Sequence, residues 1–244
     1  MILRINHLID TVYTKELLHK GAELKALQAQ INPHFLYNTL ECINSLVELN
    51  RPDDVKKTVT ALAGIMRMSI KGEEIITVRE NLHYVQQYMF IEQLRFGDKL
   101  IFLSEIPESI MDYYIPKLTI QPILENSIIH GVSEILGKGM IGLFGRETES
   151  SIIFTIKDNG CGFPEDVIER VEHSIADDFI SINDTRESIG LFNIQKRIHL
   201  MYGTDYGLHI ENLPSGGSSV TVCFPKLTST DTAAAEKEER SQEP

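Results

Sequence analysis

Several short stretches of this 244-residue chain set chemistry-bearing residues among glycines. E-N-S-I-I-H places Asn126 and His130 four residues apart, on one face of any α-helix that carries them. An asparagine carbonyl can ligate Mg²⁺, and a donating residue one turn on can meet a phosphate; a buried Asn and His satisfying one another fits the same spacing. D-N-G-C-G-F follows a β-rich run, so Asp158 is predicted at a strand end, with Gly160 and Gly162 freeing the loop beyond it. A carboxylate there can accept from an exocyclic amine, the donor that distinguishes adenine from guanine at that edge, although a simple Asn-Gly turn also explains the tetrapeptide. In S-I-G-L-F-N-I-Q-K-R-I, Gly190 is predicted at a helix start, where a glycine lets phosphate approach the amide groups. Gly216 and Gly217 precede the last predicted strand, as they would in a plain hairpin turn.

A further stretch, Q-A-Q-I-N-P-H-F-L-Y-N-T-L, carries an ionisable ring at a proline joint. Asn32-Pro33 either opens a helix or kinks a continuous one, so the chain changes direction at His34. Beyond it Leu36, Leu40, Ile43 and Val47 share one helical face, while His34, Asn38, Glu41, Ser45 and Glu48 share the opposite, wet one.

The elements that must position these residues follow from periodicity. From about Ile5 to Ile31 the chain is helix-forming, with Leu17, Leu24 and Ile31 seven apart and Leu27 between; Asp10 and Lys20 interrupt this imperfect heptad seam. An ordinary amphipathic helix fits equally. Arg51-Pro52-Asp53-Asp54 is a turn with proline at a helix start, followed by Val55, Val59, Leu62, Met66 and Ile70 at three-and-four spacing. Two antiparallel helices of this kind make half of a four-helix bundle, which a second copy can complete. Thr77-Val78-Arg79-Glu80 fits a capping box for a helix running to about Phe96.

From Lys99 the texture changes to five β-rich runs interrupted by helical patterns at Pro116 to Val132 and Ile189 to Tyr202. The fold class is therefore α+β: a helical hairpin, then a sandwich with a mixed sheet and helices on one face. The polar stretch from Glu165 to Glu187 is too long for a simple connection and is predicted to be a lid. The last residues, charged and without large apolar side chains, are predicted to be a disordered tail.

Composition narrows the function. A net charge of −12 without clustered Lys and Arg argues against a general nucleic-acid binder. No apolar run approaches bilayer length and no secretory signal opens the chain, which begins in what reads as mid-helix. It is expected to be the cytoplasmic part of something longer. Cys42, Cys161 and Cys223 lack metal or disulfide spacing and are predicted to be free thiols in a reducing compartment. The histidines at 7, 19, 83, 173, 199 and 209 share no ligand spacing with carboxylates or cysteines.

Taken in order, the four glycine-associated stretches resemble the Asn box and three glycine boxes of the GHKL (Bergerat) ATP-binding fold shared by histidine kinases, gyrase-type ATPases and MutL-like proteins. With the proline-histidine stretch added, E-N-S-I-I-H-G, D-N-G-C-G and I-G-L-F-N-I-Q-K-R-I resemble the LytS/YesM-type sensor histidine kinases over about Leu24 to Pro225. The resemblance implies that His34 is the phosphoacceptor, Asn126 the Mg²⁺ ligand and Asp158 the adenine-reading carboxylate. Gly160, Gly162 and Gly190 would be flexible points of nucleotide loops, with His130, Leu191 and Asn193 of the same motifs also lining the ATP site. It implies a homodimer, a response regulator receiver domain as partner, and membrane attachment only through a sensor region of a bacterial inner or plasma membrane protein. Residues 1–23 would be the end of a HAMP linker, 24–96 the dimerisation and phosphotransfer helices, 97–226 the ATP-binding domain and 227–244 the tail.

Two positions depart from the family's pattern: Ser188, where glycine is frequent, and Ser218, where threonine is. They motivate an alternative, a catalytically inactive nucleotide-binding dimerisation scaffold. Water-splitting members of the fold resemble one another in carrying a glutamate four residues before the Asn-box asparagine; here that residue is Pro122, which accepts no proton. Transfer to a protein nucleophile is thereby favoured over hydrolysis. An exposed imidazole suits the nucleophile's role. Asn38 is the candidate to orient the ring or the γ-phosphate, and Glu41 is a candidate base that an ordinary solvated role explains equally.

Overall fold

A computed structural model describes residues 33–70, 73–133, 135–172 and 186–229. The helix expected from Ile5 to Ile31, with the linker end at 1–23, and the tail beyond residue 229 lie outside the described residues. The chain divides into two compact units, residues 1–72 and 73–244.

In the first unit α1 (Pro33–Glu48) and α2 (Pro52–Ile70) form the hairpin. Its turn is built locally. Asn50 takes φ 53°, the Arg51 amide donates to the Leu46 carbonyl at 2.9 Å, and the Asn50 amide donates to Val47 at 3.0 Å. This pair of bonds closes α1 in a Schellman arrangement with asparagine in the left-handed position, which it tolerates better than most residues. Pro52 then opens α2 where its missing amide proton costs nothing.

The buried face differs from the expected one. On α1 the buried side chains are Phe35, Thr39 and Leu46, whereas Leu40 and Val47 of the predicted stripe are 51% and 60% exposed. On α2 Thr58, Ala61, Ile65 and Met68 are buried and Val59 is 49% exposed. Each helix is apolar over a wider arc than one partner covers, so part of the predicted stripe stays outside the contact between α1 and α2.

The second unit opens with β1 (Ile75–Thr77) and α3 (Val78–Phe96), the latter grouped with the ATP-binding fold and not with the hairpin helices. The Thr77 capping box forms as predicted: the Glu80 amide donates to Thr77 Oγ1 at 3.2 Å and the Thr77 amide donates to Glu80 Oε2 at 3.0 Å. Then come β2 (Leu100–Glu105), β3 (Tyr114–Pro116), α4 (Ile120–Asn126), β4 (Gly139–Glu147), β5 (Ser151–Asp158), α5 (Glu165–Glu172), α6 (Arg186–Tyr202), β6 (Gly207–Asn212) and β7 (Ser218–Pro225).

The sheet is mixed, in the order β2-β4-β5-β7-β6, with β2 parallel to β4 and the remaining pairs antiparallel. Alternation along β5 buries Ile152, Phe154 and Ile156 on one face and leaves Lys157 exposed on the other. Val220, Val222 and Phe224 of β7 and Leu208 and Ile210 of β6 join that buried face, against which the helices pack.

Three local expectations change. The helix predicted from Pro116 starts at Ile120, because Tyr114–Pro116 pairs antiparallel with β1 and Leu118 sits at φ 55°. The polar stretch after Pro164 begins as helix α5, whose Val167 and Val171 are buried one turn apart; residues 173–185 of the expected lid lie outside the described residues. Helix α6 begins at Arg186, so Gly190 lies inside a helix and not at its free end.

Candidate active site

Asp158 shows how the sheet places a site residue. It is the next inward position after Ile156, so the period of β5 turns its carboxylate to the helix-covered face, where it is buried. Across the β5–β7 register, Lys157 pairs with Ser219, which brings Ser218 opposite Asp158. Ser218 Oγ donates to Asp158 Oδ2 at 2.6 Å, and the Ser218 and Gly160 amides donate to Oδ1 at 3.3 and 2.9 Å. A carboxylate with three donors is fixed in rotamer yet keeps lone pairs for a further donor.

Glycines let the backbone close around it. A Cβ at Gly160 would collide with the backbone of Gly131, and one at Gly217 with the Asp158 carbonyl. A Cβ at Gly131 itself would stand 3.1 Å from Asp158 Oδ1. Gly162 takes φ 79°, open to glycine at no steric cost. The loop is fastened at both ends by asparagine amides. Asn159 accepts from the Met140 amide at 2.7 Å and donates to the Lys138 carbonyl at 3.0 Å. Asn212 accepts from the Phe163 amide at 2.7 Å and donates to its carbonyl at 2.8 Å.

Asn126 ends α4, and the chain continues through a π-helical turn, Ser127–Val132. Such widened turns are frequent at functional sites. Here the turn carries Gly131 to Asp158. Asn126 Nδ2 is buried without a hydrogen-bond partner among the described residues and stands 4.0 Å from where a Cβ of Gly190 would be. His130 lies in the π turn, and its side chain is outside the described features. On α6 Leu191 is buried and Asn193 exposed. The Gly190 amide is not a free helix-end donor as expected; what that position offers is space opposite Asn126.

The fold thus brings together Asn126, Asp158, Gly160 and Gly190. Sequence reasoning missed Gly131 and Asn212, although the glycine directly after the E-N-S-I-I-H run was in view. It also took Ser218 only as a departure, when its hydroxyl is the group that meets Asp158. An unpartnered amide nitrogen and a glycine-lined carboxylate fit a ligand that supplies both acceptor oxygens and an exocyclic amine, as ATP does. The same residues fit a Mg²⁺ ion through the Asn126 carbonyl.

Beneath α4, on α3, Glu92 is 2% exposed and lies 2.8 Å from Arg95, whose guanidinium also stacks over Phe96 at 4.4 Å. Burial pushes the Glu92 carboxyl up to about 7, with Arg95 pulling it down and Glu125 adding to the rise. The contact with Arg95 favours the ionised carboxylate, but the desolvation of a carboxyl buried this deeply outweighs it. Burial likewise raises the Tyr88 hydroxyl well above its ordinary range.

In the other unit His34 is exposed near the start of α1, and the Asn38 amide nitrogen lies 3.3 Å from each of its ring nitrogens. Glu41 is exposed further along the same helix.

A nucleotide-binding unit of the GHKL type and a helical hairpin with an exposed histidine define the class. Residues 22–100 match the family model described as histidine kinase, and residues 113–228 match that of the histidine kinase-, DNA gyrase B- and HSP90-like ATPases. The chain belongs to the sensor histidine kinases of the LytS/YesM type. It is 36% identical to the sensor histidine kinase YesM of Bacillus subtilis, covering 92% of this chain and 37% of that protein. It is 39% identical to the sensor histidine kinase YpdA of Escherichia coli, covering 83% of this chain and 34% of that one. The chain therefore spans about a third of the length of these curated relatives. It is also 33% identical to the putative uncharacterized protein YwpD of Bacillus subtilis, covering 90% of this chain and 75% of that one. Among solved structures, the catalytic domain of histidine kinase ThkA covers 64% of this chain and 99% of its own at TM-score 0.47 and 17% identity. The histidine kinase domain of a blue-light activated histidine kinase from Erythrobacter litoralis covers 82% and 95% at TM-score 0.45 and 13% identity.

No helix among the described residues is long and apolar enough to cross a membrane, and no cluster of three or more metal-binding His, Cys, Asp or Glu occurs among them.

Proposed function

We propose that this chain is the kinase region of a two-component sensor, which phosphorylates His34 from Mg-ATP and passes the phosphoryl group to an aspartate of a response regulator. The observation that carries the reading is the Asn126 amide, buried with an unpartnered nitrogen opposite a residue without a side chain and one π turn from the Asp158 cradle. Asp158 would accept the adenine amine, its own position held by Ser218 and the Gly160 amide. Asn126 would hold Mg²⁺, which supplies neutralisation of phosphate charge during transfer. Gly160, Gly162 and Gly190 leave room for the nucleotide, with His130, Leu191 and Asn193 proposed beside it.

On the hairpin, the Asn38 amide nitrogen stands 3.3 Å from each ring nitrogen of His34, so Asn38 is the residue proposed to orient the ring or the γ-phosphate. Glu41 is the candidate acceptor for the proton that leaves afterwards. Ser218 supplies the hydroxyl that a threonine would, which removes part of the motive for the inactive-scaffold alternative. Homodimerisation through the exposed Leu40, Val47 and Val59 stripe, and a place on the cytoplasmic side of a bacterial membrane through a sensor region, belong to the same proposal.

Incubation with Mg-ATP, followed by mass spectrometry under conditions that preserve phosphohistidine, tests it. The expected result is label on His34, none in His34→Gln, unchanged ATP affinity in that variant, and at least tenfold weaker ATP binding in Asp158→Asn. Label persisting in His34→Gln would move the site elsewhere. Nucleotide binding without label on the wild-type chain would favour the inactive scaffold.

A further inference from the structure

Helices α4 and α6 meet at a second point, away from the nucleotide cradle. Gly190 stands opposite Asn126 at the end of α4. Further along α6, Arg197 Nη1 donates to the Lys117 carbonyl at 2.8 Å, just before α4 begins. The two helices therefore run antiparallel, with the cradle at one end and Arg197 about 10 Å away at the other, given the rise of an α-helix.

Glu74 closes that far end. Its Oε2 lies 3.0 Å from Arg197 Nη2 and its Oε1 3.1 Å from Lys117 Nζ, so each carboxylate oxygen holds a different element. The Lys117 amide also donates to the Glu74 carbonyl at 2.9 Å. The Lys117 side chain is buried, and Leu118 follows it in the left-handed region at φ 55°. A leucine keeps that conformation only where its surroundings over-determine it. Glu74 itself is 69% exposed, and exposed ion pairs stabilise a fold little. What a carboxylate shared between two elements supplies is a fixed relative placement.

We propose that Glu74, Lys117 and Arg197 are positioning residues of the nucleotide site, a clasp that sets the angle between α4 and α6 and so keeps Gly190 opposite Asn126. The proposal rests on the nucleotide reading of that pair. Loss of the clasp frees the far end of α6, so the angle between α4 and α6 is no longer set, which widens the cradle and lowers affinity without touching the phosphoryl-transfer step.

The test is titration of the whole chain with a fluorescent ATP analogue and Mg²⁺, for the wild type, Glu74→Gln, Arg197→Met and the double variant. Kd is expected to rise about three- to tenfold in each single variant, and the double variant to be no worse than either, since the two groups act as one unit. The melting temperature without nucleotide should stay within about 2 °C. The difference between wild type and Glu74→Gln should shrink in 1 M salt, where exposed charges are screened. Labelling at saturating ATP should change less than twofold, which puts the effect in KM and not in kcat. Unchanged Kd in the variants, additive effects, or a loss of affinity matched by a loss of thermal stability would overturn the clasp. A wild-type chain that binds no ATP would overturn the nucleotide reading and the clasp with it; binding without labelling would overturn only the kinase reading, because the clasp is judged on Kd.

Discussion

On the hairpin, the amide that meets the His34 ring comes from Asn38, one turn further along the same helix. In the second unit the carboxylate of Asp158 is held by Ser218, sixty residues away, on a neighbouring strand. The local setting of His34 therefore needs only helical periodicity, and it survives wherever α1 forms. The nucleotide cradle needs the register of β5 and β7, the π turn after Asn126 and several backbones in close approach. Its tolerance of added atoms is correspondingly small.

Adding a methyl group to the cradle should break it with the largest effect. Gly160→Ala forces a Cβ into the Gly131 backbone, and overpacking of this kind destabilises by about 1–3 kcal/mol. ATP binding is expected to fall by at least tenfold and the second unit's melting temperature with it. Gly137→Ala, with no atom within 4 Å of the new Cβ, is expected to change neither. Calorimetric titration and thermal unfolding of both variants decide this; equal behaviour would mean that the close approach does not matter.

The hairpin should instead be broken by its partner. With Leu40 51% and Val47 60% exposed, Leu40→Glu with Val47→Glu is expected to weaken self-association at least tenfold, about 1.4 kcal/mol. The helix content should be retained. Light scattering at tens of micromolar and circular dichroism read the two quantities; a wild-type chain that is already monomeric would remove the proposed dimer.

A third test concerns pH. Glu92 is pushed up from its ordinary 4.5 to about 7 by burial, so the folded state holds its proton more tightly than the unfolded one. Its contribution is complete below about pH 4.5 and is lost as pH rises through 7, on the order of 3 kcal/mol. Thermal unfolding of the second unit between pH 5 and 8 should show this decline, and Glu92→Gln should flatten it. An identical slope in the variant would assign it to another group.

The helices that repeat every three or four residues were legible, and so was the Thr77 capping box, because helix signals are local. So were the strands: the run S-I-I-F-T-I-K-D placed Asp158 at a strand end. The β1–β3 pair was not: three residues a side carry too little pattern, and the pairing cancels the helix expected at Pro116. Helix α5 was hidden in a charged stretch, where only Pro164 and the pair Val167 and Val171 marked it. Which part of the hairpin's apolar arc meets the neighbouring helix was not legible either, because period alone does not distinguish two apolar faces.

By itself the sequence determined which residue types stand at which intervals: a histidine after a proline, an asparagine ahead of a glycine, a carboxylate at a strand's end, and glycines where backbones must approach. Those intervals are properties of one segment at a time. Only the tertiary structure decided that Ser218 is the hydroxyl on Asp158, that Gly160 must lack a side chain because the Gly131 backbone lies against it, and that Asn126 looks across to Gly190. Each of these joins segments through sheet register or helix packing, and no local preference encodes a distance between residues that meet only once the chain has folded.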